Sequence, residues 1–512
     1  MKMINKKIAS GMVVAILMIF TSCTKLTDGI STDPVNVTDP NNIGVSQYLS
    51  GIEVSLIGVF EGDAARLSGM WAGYFSGEDR QYAGLANYVT SGADYDLEWA
   101  TIYASVMKNA QLLKQNAQPR NYYASIGITQ VMQAMSMGLA ADLWGDVPYT
   151  EAIQYPKNAA PKFDTQASVY AAAQVLLDSA IMNLGKGGPT AGDFFYNGNI
   201  NAWKAAAHTV KARLYLHIRD YANALLESNA GISTPDGNMM APHGNAYLQT
   251  FNMYYSFLTY DRSAYMAANS FAPRLLDPSS ATYRGNIKTV ENGRFNFYYA
   301  PVTYWGGLNT GADYDPNVFC SSGEDGTVNW PKLYGMPDDV TRDGFFSATM
   351  SFPILTFQEN ALIKAEANAK SGNLQPAIDA LNSVRAYYRL GSFFGTSTAY
   401  INDPDLGGIK YDDYILADFA PSGIENTDNV AQDKAILREI LEERYITLIG
   451  QIEGYNDMRR TDNFLKIPVA AGKSDFPRRF LYSQVEINTN PKTPSGDQVG
   501  LYVPVASFAT AY

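Results

Sequence analysis

Histidines, paired carboxylates and cysteines are the usual material of hydrolytic and metal-dependent sites, and in this chain their patterns do not converge. His208 and His217 are nine residues apart. On a helix that spacing is about two and a half turns, which puts the two rings on opposite faces, where they cannot share a metal. H-E-x-x-H, G-x-S-x-G and G-x-x-x-x-G-K-[ST] do not occur, and Gly472-Lys473-Ser474 has Ile467 where a phosphate loop needs its first glycine. Acidic pairs are common (Glu78-Asp79, Glu324-Asp325, Asp338-Asp339, Asp412-Asp413). Two carboxylates meet the minimum for a glycosidase, but adjacent acids are more often solvated loop charges, so glycoside hydrolysis is a secondary reading. Asp313-x-Asp315-x-Asn317 and Asp403-x-Asp405 lack the glycine and glutamate of the twelve-residue calcium loop. The sequence predicts no catalytic residue, no metal site and no cofactor.

What the chain does hold is aromatic rings set in polar stretches. Residues 231–351 lose helical periodicity, are dense in Gly, Asn, Asp and Pro, and carry Tyr254, Tyr255, Tyr298, Tyr299, Tyr304, Trp305, Tyr314, Trp330 and Tyr334. A sugar ring has a flat apolar face edged by hydroxyls, so Trp and Tyr can stack on the face while Asn, Asp and Arg bond the edge. An earlier segment, SGMWAGYFSGEDRQYAGLANY, sets Trp71, Tyr74, Phe75 and Tyr82 among Gly, Ser and charged residues. That composition suits an irregular, partly exposed segment, and core anchoring between helices accounts for the same rings equally well.

The elements that must position these rings are helical. In TQVMQAMSMGLAADLWGDVPYTEAIQY, Val131, Ala134, Met135, Gly138, Leu139 and Asp142 fall on one face, and small residues along the run invite close helix packing. Gly145 closes that helix, while Asp146 and Pro148 oppose restarting it. Further stripes run from Val169 to Leu184 and from Trp203 to Leu225, the second with Asn201 as the expected N-cap. After residue 351, Ile354, Phe357, Ala361 and Ala365 form one stripe. Gly372 ends that helix, Pro376 opens the next, and Ala377, Ala380, Leu381, Val384 and Tyr388 form the facing stripe. This pair is one tetratricopeptide-like unit. Residues 391–430 are a second irregular excursion, and a last helix runs through Leu437, Ile440, Leu441, Tyr445 and Leu448.

Four segments, ADLWGDVPYTEA, FFYNGNINAWKAAAHTVKARLYLHIRDY, ILEERYITLIGQIEGYNDMRRTDNF and FPRRFLYSQVEIN, resemble in content and order the motifs of the SusD/RagB family of nutrient-binding outer-membrane lipoproteins of Bacteroidetes. The resemblance implies a mainly α fold, a tetratricopeptide-like scaffold (about 43–230, 352–390 and 431–512) with irregular ligand-face segments at about 231–351 and 391–430. It also implies binding without bond cleavage: an oligosaccharide or other nutrient is passed to a SusC-like TonB-dependent transporter. The early aromatic region supplies part of the ligand face in that family, but its ligand residues lie outside the matched motifs and do not carry over; the rings in polar stretches, with Arg80, make Trp71, Tyr74, Arg80, Trp305 and Trp330 the expected ligand-binding residues. Trp144, Gly145, Asp146, Pro148 and Tyr149 are expected to be structural. A helical-repeat adapter that binds only protein is the rival to this reading.

The N-terminus fits export. Lys2, Lys6 and Lys7 precede an apolar stretch from Ile8 to Phe20, and Thr21-Ser22-Cys23 closes it. Small residues before Cys23 resemble a bacterial lipobox, so residues 1–22 read as a signal peptide, Cys23 as the lipidated residue, and 23–42 as a solvated tether. The lipobox implies a lipid anchor, and the resemblance to the SusD/RagB family implies that the anchored protein sits on the outer membrane facing the exterior. With Cys23 acylated, Cys320 is the one remaining thiol and no internal disulfide can form. The formal charge is -12, and the first 22 residues contribute three lysines and no acid. That balance argues against nucleic acid and against a polybasic membrane contact.

Overall fold

The computed structural model describes residues 43–246, 249–262, 265–301, 314–316, 344–395, 399–402 and 408–512. The expected signal peptide, Cys23 and tether lie outside them. The architecture is helical. Its principal helices are α1 (Val45–Glu61), α2 (Asp63–Trp71), α3 (Arg80–Ala86), α4 (Tyr123–Trp144), α5 (Gln166–Lys186), α6 (Ile200–His217), α7 (Tyr221–Ser228), α8 (Phe357–Lys370), α9 (Leu374–Arg389), α10 (Gln432–Thr447) and α11 (Ile452–Arg460). Short strands β1 (Ser76–Gly77), β2 (Met239–Ala241), β3 (Met266–Ala267), β4 (Thr289–Val290), β5 (Tyr299–Pro301), β6 (Tyr314–Pro316), β7 (Phe352–Leu355) and β8 (Lys410–Tyr411) make two-stranded antiparallel pairs: β1 with β3, β2 with β7, β4 with β8, β5 with β6.

Helix α4 is the axis of the core. The sequence predicts one packed face, but nearly every residue from Ala124 to Trp144 is buried. Its small residues explain the difference, because they let neighbours approach on every side. A Cβ on Gly127 would stand 2.9 Å from the Ala180 carbonyl of α5, and one on Gly138 would stand 2.7 Å from the Leu214 side chain of α6. Gly145 ends the helix at φ 81°, as expected. Helix α6 is capped by Asn199, whose side chain accepts from the amides of Asn201 and Ala202, so the cap falls two residues before the expected Asn201.

The α8–α9 pair is present, joined through Gly372 at φ 80°. Ala377, Ala380, Leu381, Val384 and Tyr388 all face a core shared with α10. Ile354, expected on the first helix of that pair, lies instead in β7. The helix starts after Thr356, whose hydroxyl accepts from the Glu359 amide. The irregular excursions fold back onto this frame. Tyr411, Tyr414 and Phe419 enter the α8–α9–α10 core, and Tyr254, Tyr298 and Tyr299 are fully buried, with Tyr255 buried beside them. These rings belong to the interior, because each tyrosine brings more apolar area than a short two-stranded pair can bury.

Charged groups cross-link the helices from within. Arg213 of α6 grips Glu359 of α8 through two bonds of 2.6 Å. Arg460 of α11 does the same to Glu366 of α8 at 2.6 and 2.7 Å, and Arg444 of α10 holds Asp457 of α11 at 2.9 Å. Where α11 crosses the chain after α2, Gly454 makes room for the Tyr74 ring, and a Cβ there would lie 2.0 Å from the phenol oxygen and 2.5 Å from ring carbons. A rigid ring anchored at both ends cannot yield, so Gly454→Ala should lower stability by about 1–3 kcal/mol. Thermal unfolding of the variant checks this, and an unchanged midpoint would show that the contact relaxes freely.

Candidate ligand-binding site

The chain from Trp71 to Ala86 alternates between anchoring and display. Trp71 is 1% exposed. Its indole N–H donates to the Leu85 carbonyl at 2.9 Å, and its ring meets Tyr455 and Phe480 edge-on at 5.5 Å. Tyr74 is 0% exposed and donates to the Tyr445 carbonyl at 2.7 Å, while the Tyr445 hydroxyl returns a bond to Ala72 at 2.8 Å. Neither ring offers a face to solvent, which corrects the expectation that Trp71 and Tyr74 stack on ligand. Both polar tips find backbone carbonyls inside, and burying the rings there outweighs exposure.

What those anchors hold in place is the exposed run after them. Strand β1 pairs Ser76 with Ala267 and Gly77 with Met266. The Glu78 amide then donates to the Tyr265 carbonyl at 2.9 Å. Asp79 caps α3 by accepting from the Arg80 amide at 2.8 Å, and Arg80 stands at φ 47°, in the left-handed region that non-glycine residues rarely occupy. Its side chain is 72% exposed, so Arg80, expected to bind ligand, stands at the surface. From the other side, a π-helical turn, Phe257–Asp261, delivers Arg262 and Tyr265 to the same place.

Tyr265, half-buried, is the centre of this surface. The Arg80 guanidinium lies 5.9 Å and the Arg262 guanidinium 5.6 Å from its ring centroid. Glu78 and Asn269 stand beside it, with the Glu78 carboxylate accepting from Ser76 at 2.5 Å and from Asn269 at 3.4 Å. Beneath lies an aromatic floor: Tyr82 packs 5.9 Å from Tyr265 and 5.0 Å from Phe257, and Arg66 covers Phe257 at 4.4 Å. Burial pushes the Tyr82 hydroxyl above its ordinary range, which keeps the floor neutral. A ring supported from below, with two guanidiniums over it and a bonded carboxylate and amide beside the paired strands, offers a ligand both an aromatic surface and polar partners. Tyr265, Arg262, Glu78 and Asn269 are absent from the sequence expectation, although the polar run DRSAYMAANS carries the same ring-in-polar-loop signal. Trp305 and Trp330 lie outside the described residues.

The motif residues sit elsewhere and hold structure. Trp144 is fully buried and donates to the Leu481 carbonyl at 2.8 Å, its own carbonyl accepts from Arg479, and Asp146 accepts from the Gln166 amide at 2.9 Å.

The sequence motifs match, over residues 38–483, a family described as starch-binding and associating with the outer membrane. The chain belongs to the SusD-like family. No curated protein sequence matches it. Among solved structures it is similar to a SusD/RagB family protein from Bacteroides thetaiotaomicron, at 20% identity and TM-score 0.62, covering 92% of this chain and 100% of that one. It is also similar to a SusD homolog from Bacteroides uniformis, at 18% identity and TM-score 0.64, covering 91% and 99%. A chitin-binding SusD homolog from Flavobacterium johnsoniae matches at 16% identity and TM-score 0.60, covering 89% and 98%. At such identities the likeness is one of fold, and it agrees with the helical scaffold.

The SusD-like motifs also converge on a buried triad that the sequence reading missed, since it takes one residue from each of three distant helices. His217 is fully buried, with Nδ1 2.8 Å from Asp142 and Nε2 3.0 Å from Glu453. Arg213 stands 3.5 Å from Glu453, and Tyr170 donates to Asp142 at 2.5 Å. The three groups have metal-ligand chemistry and are close enough to share an ion. Both ring nitrogens already face carboxylates, however, which is the arrangement of an imidazolium donating twice. Burial alone would lower the imidazole pKa, but the charges of Asp142 and Glu453 outweigh it and lift it to about 9. Burial opposes ionisation of Glu453 as well, and Arg213 and His217 override it, holding that carboxyl well below its usual range. His208 lies apart, 2.6 Å from Glu227.

A base whose folded pKa is raised stabilises fully below its unfolded value near 6.5, and this contribution disappears as pH rises through about 9. The unfolding midpoint of the wild type should exceed that of His217→Gln most at pH 5.5–6.5, by an amount equivalent to about 3 kcal/mol, with the gap closing toward pH 9. A gap independent of pH would contradict a charged His217.

Proposed function

We infer that this SusD-like protein binds oligosaccharides at the cell surface and passes them to a SusC-like TonB-dependent transporter. The observation that carries the reading is the partly buried Tyr265 ring with the Arg80 and Arg262 guanidiniums over it and Glu78, bonded to Asn269, beside the paired strands as its polar rim. A pyranose ring would stack on the tyrosine, and its equatorial hydroxyls would reach the rim. The family's description as starch-binding and outer-membrane-associated supports a glycan ligand, and the chitin-binding homolog from Flavobacterium johnsoniae puts chitin fragments among the sugars worth testing.

Residues 1–22 act as a lipoprotein signal, Cys23 takes the lipid, and 23–42 tether a single domain spanning 43–512. The protein is then held on the outer membrane, where released sugars can be caught before they diffuse away. Catalysis has no part in this role: the ligand leaves unchanged.

Two measurements test the reading. Isothermal titration against starch- and chitin-derived oligosaccharides and acidic plant and algal oligosaccharides should reveal binding to at least one class. Tyr265→Ala should weaken that binding about tenfold, equivalent to about 1.4 kcal/mol. Silence across the panel, with tight binding to the transporter alone, would favour a protein adapter. In membrane fractionation, Cys23→Ser should move the protein from the outer-membrane to the soluble fraction, and unchanged membrane association would refute the lipid anchor.

A further inference from the structure

We propose that the sugar held at Tyr265 carries a fixed negative charge, the carboxylate of a uronic acid or a sulfate ester, and that Arg80 and Arg262 bind it. This rests on the reading of the Tyr265 surface as the sugar site and specifies what kind of sugar that site takes.

The first argument is charge. Two guanidiniums share one ring, at 5.9 and 5.6 Å, and arginine cannot shed its proton to relieve their mutual repulsion. In the scaffold, the Arg213 and Arg460 guanidiniums are each closed by a carboxylate in two bonds of 2.6–2.7 Å. The pair at Tyr265 is left open. Arg262 donates to the neighbouring Asp261 carbonyl at 2.6 Å, and among the described residues no carboxylate oxygen comes within 4.0 Å of it. Arg80 reaches Asp79 only loosely, at 3.7 Å through Nε, and that carboxylate is already engaged by the Arg80 amide. Glu78 and Asp79 offset part of this charge, but neither closes a guanidinium in a two-bond pair, so both forks keep donors free for a ligand. A carboxylate or sulfate offers oxygens that match the planar fork of a guanidinium.

The second argument is backbone. Arg80 is held at φ 47°, a geometry that is rare and costly for a non-glycine residue, and Arg262 directly follows a five-residue π-helical turn, an element used mostly in short functional stretches. Both features fall at the same end of the β1–β3 pair, one next to each strand, and the Glu78–Tyr265 bond ties them together. The overall charge of -12 does not oppose local binding, because charges farther than about 8 Å away are screened at physiological ionic strength.

The test is calorimetry on the full chain with four probes: an oligogalacturonate, its methyl ester, a carrageenan oligosaccharide bearing sulfate but no carboxylate, and chitohexaose as a neutral sugar. The expected result is binding of at least one acidic probe at least tenfold tighter than chitohexaose. If oligogalacturonate is the one bound, the methyl ester should lose at least tenfold, which assigns the carboxylate; binding of carrageenan alone assigns the sulfate. Arg80→Gln and Arg262→Gln should each weaken the acidic probe by about tenfold or more, and Arg262→Lys should restore part of the loss. If chitohexaose binds as well as the acids and depends on Tyr265, the charge proposal falls and the sugar site stands. If an acid binds but neither arginine variant weakens it, the charge proposal falls too. If the folded protein binds none of the four and Tyr265→Ala alters binding of no other glycan, the sugar site itself is wrong.

Discussion

Buried ion pairs between distant helices are the constraint on which the rest of this structure depends. Asp142 of α4, His217 of α6 and Glu453 of α11 form one chain of charge, and Arg213 extends it to Glu359 of α8. Arg444, Asp457, Arg460 and Glu366 then join α10, α11 and α8. Such groups add little net stability over a well-packed apolar core, because desolvation offsets most of the attraction. What they do is penalise every other arrangement: sliding one helix past another would strand a buried charge, at about 3–5 kcal/mol for each broken pair. The scaffold is therefore fixed in register as well as packed.

A scaffold of that kind can carry irregular segments without losing position. The chain after α2 is pinned in the core by the reciprocal Tyr74–Tyr445 contact and leaves it after Phe75, emerging as β1. The segment after Phe257 meets it there through two strand residues and one amide bond. Little of this surface's own packing would hold Arg80 at a left-handed φ or support a π-helical turn. The buried aromatic layer beneath, Tyr82 and Phe257 with Arg66, supplies that support. The proposed binding face is the exposed end of a rigid stack.

The sequence conveyed the scaffold better than the site. Helical stripes located α4, α5, α6, α8, α9 and α10 because apolar period is a direct consequence of facing a core. It misled at ends, where capping decides: Asn199 and Asn201 are chemically equal candidates, and only the backbone geometry before the helix selects the first. It misled more for aromatic rings. Trp71 and Tyr74 have the same polar neighbours as an exposed ring, and what sends them inward is a pair of carbonyl acceptors from Leu85 and Tyr445, one of them hundreds of residues away. Arg80 stands at the surface, but its charged neighbours alone do not place it there, since Arg444 follows Glu442 and Glu443 and is fully buried. Tyr265 was not legible, since nothing local separates it from Tyr254, which is buried. The triad at His217 was equally hidden, each member looking like an ordinary helix residue until α4, α6 and α11 meet.

The claim at the centre of this account is that ligand acts on a small displayed surface while the ion-linked helices stay still. Amide hydrogen exchange, measured with and without a bound oligosaccharide, tests it most directly. The account predicts slow exchange in α4, α6, α8, α10 and α11 in both states, with ligand-induced protection confined to residues 76–87 and 257–270 among the described segments. Protection centred on the Trp144–Tyr149 corner or on the α8–α9 pair, with residues 76–87 and 257–270 unchanged, would contradict it.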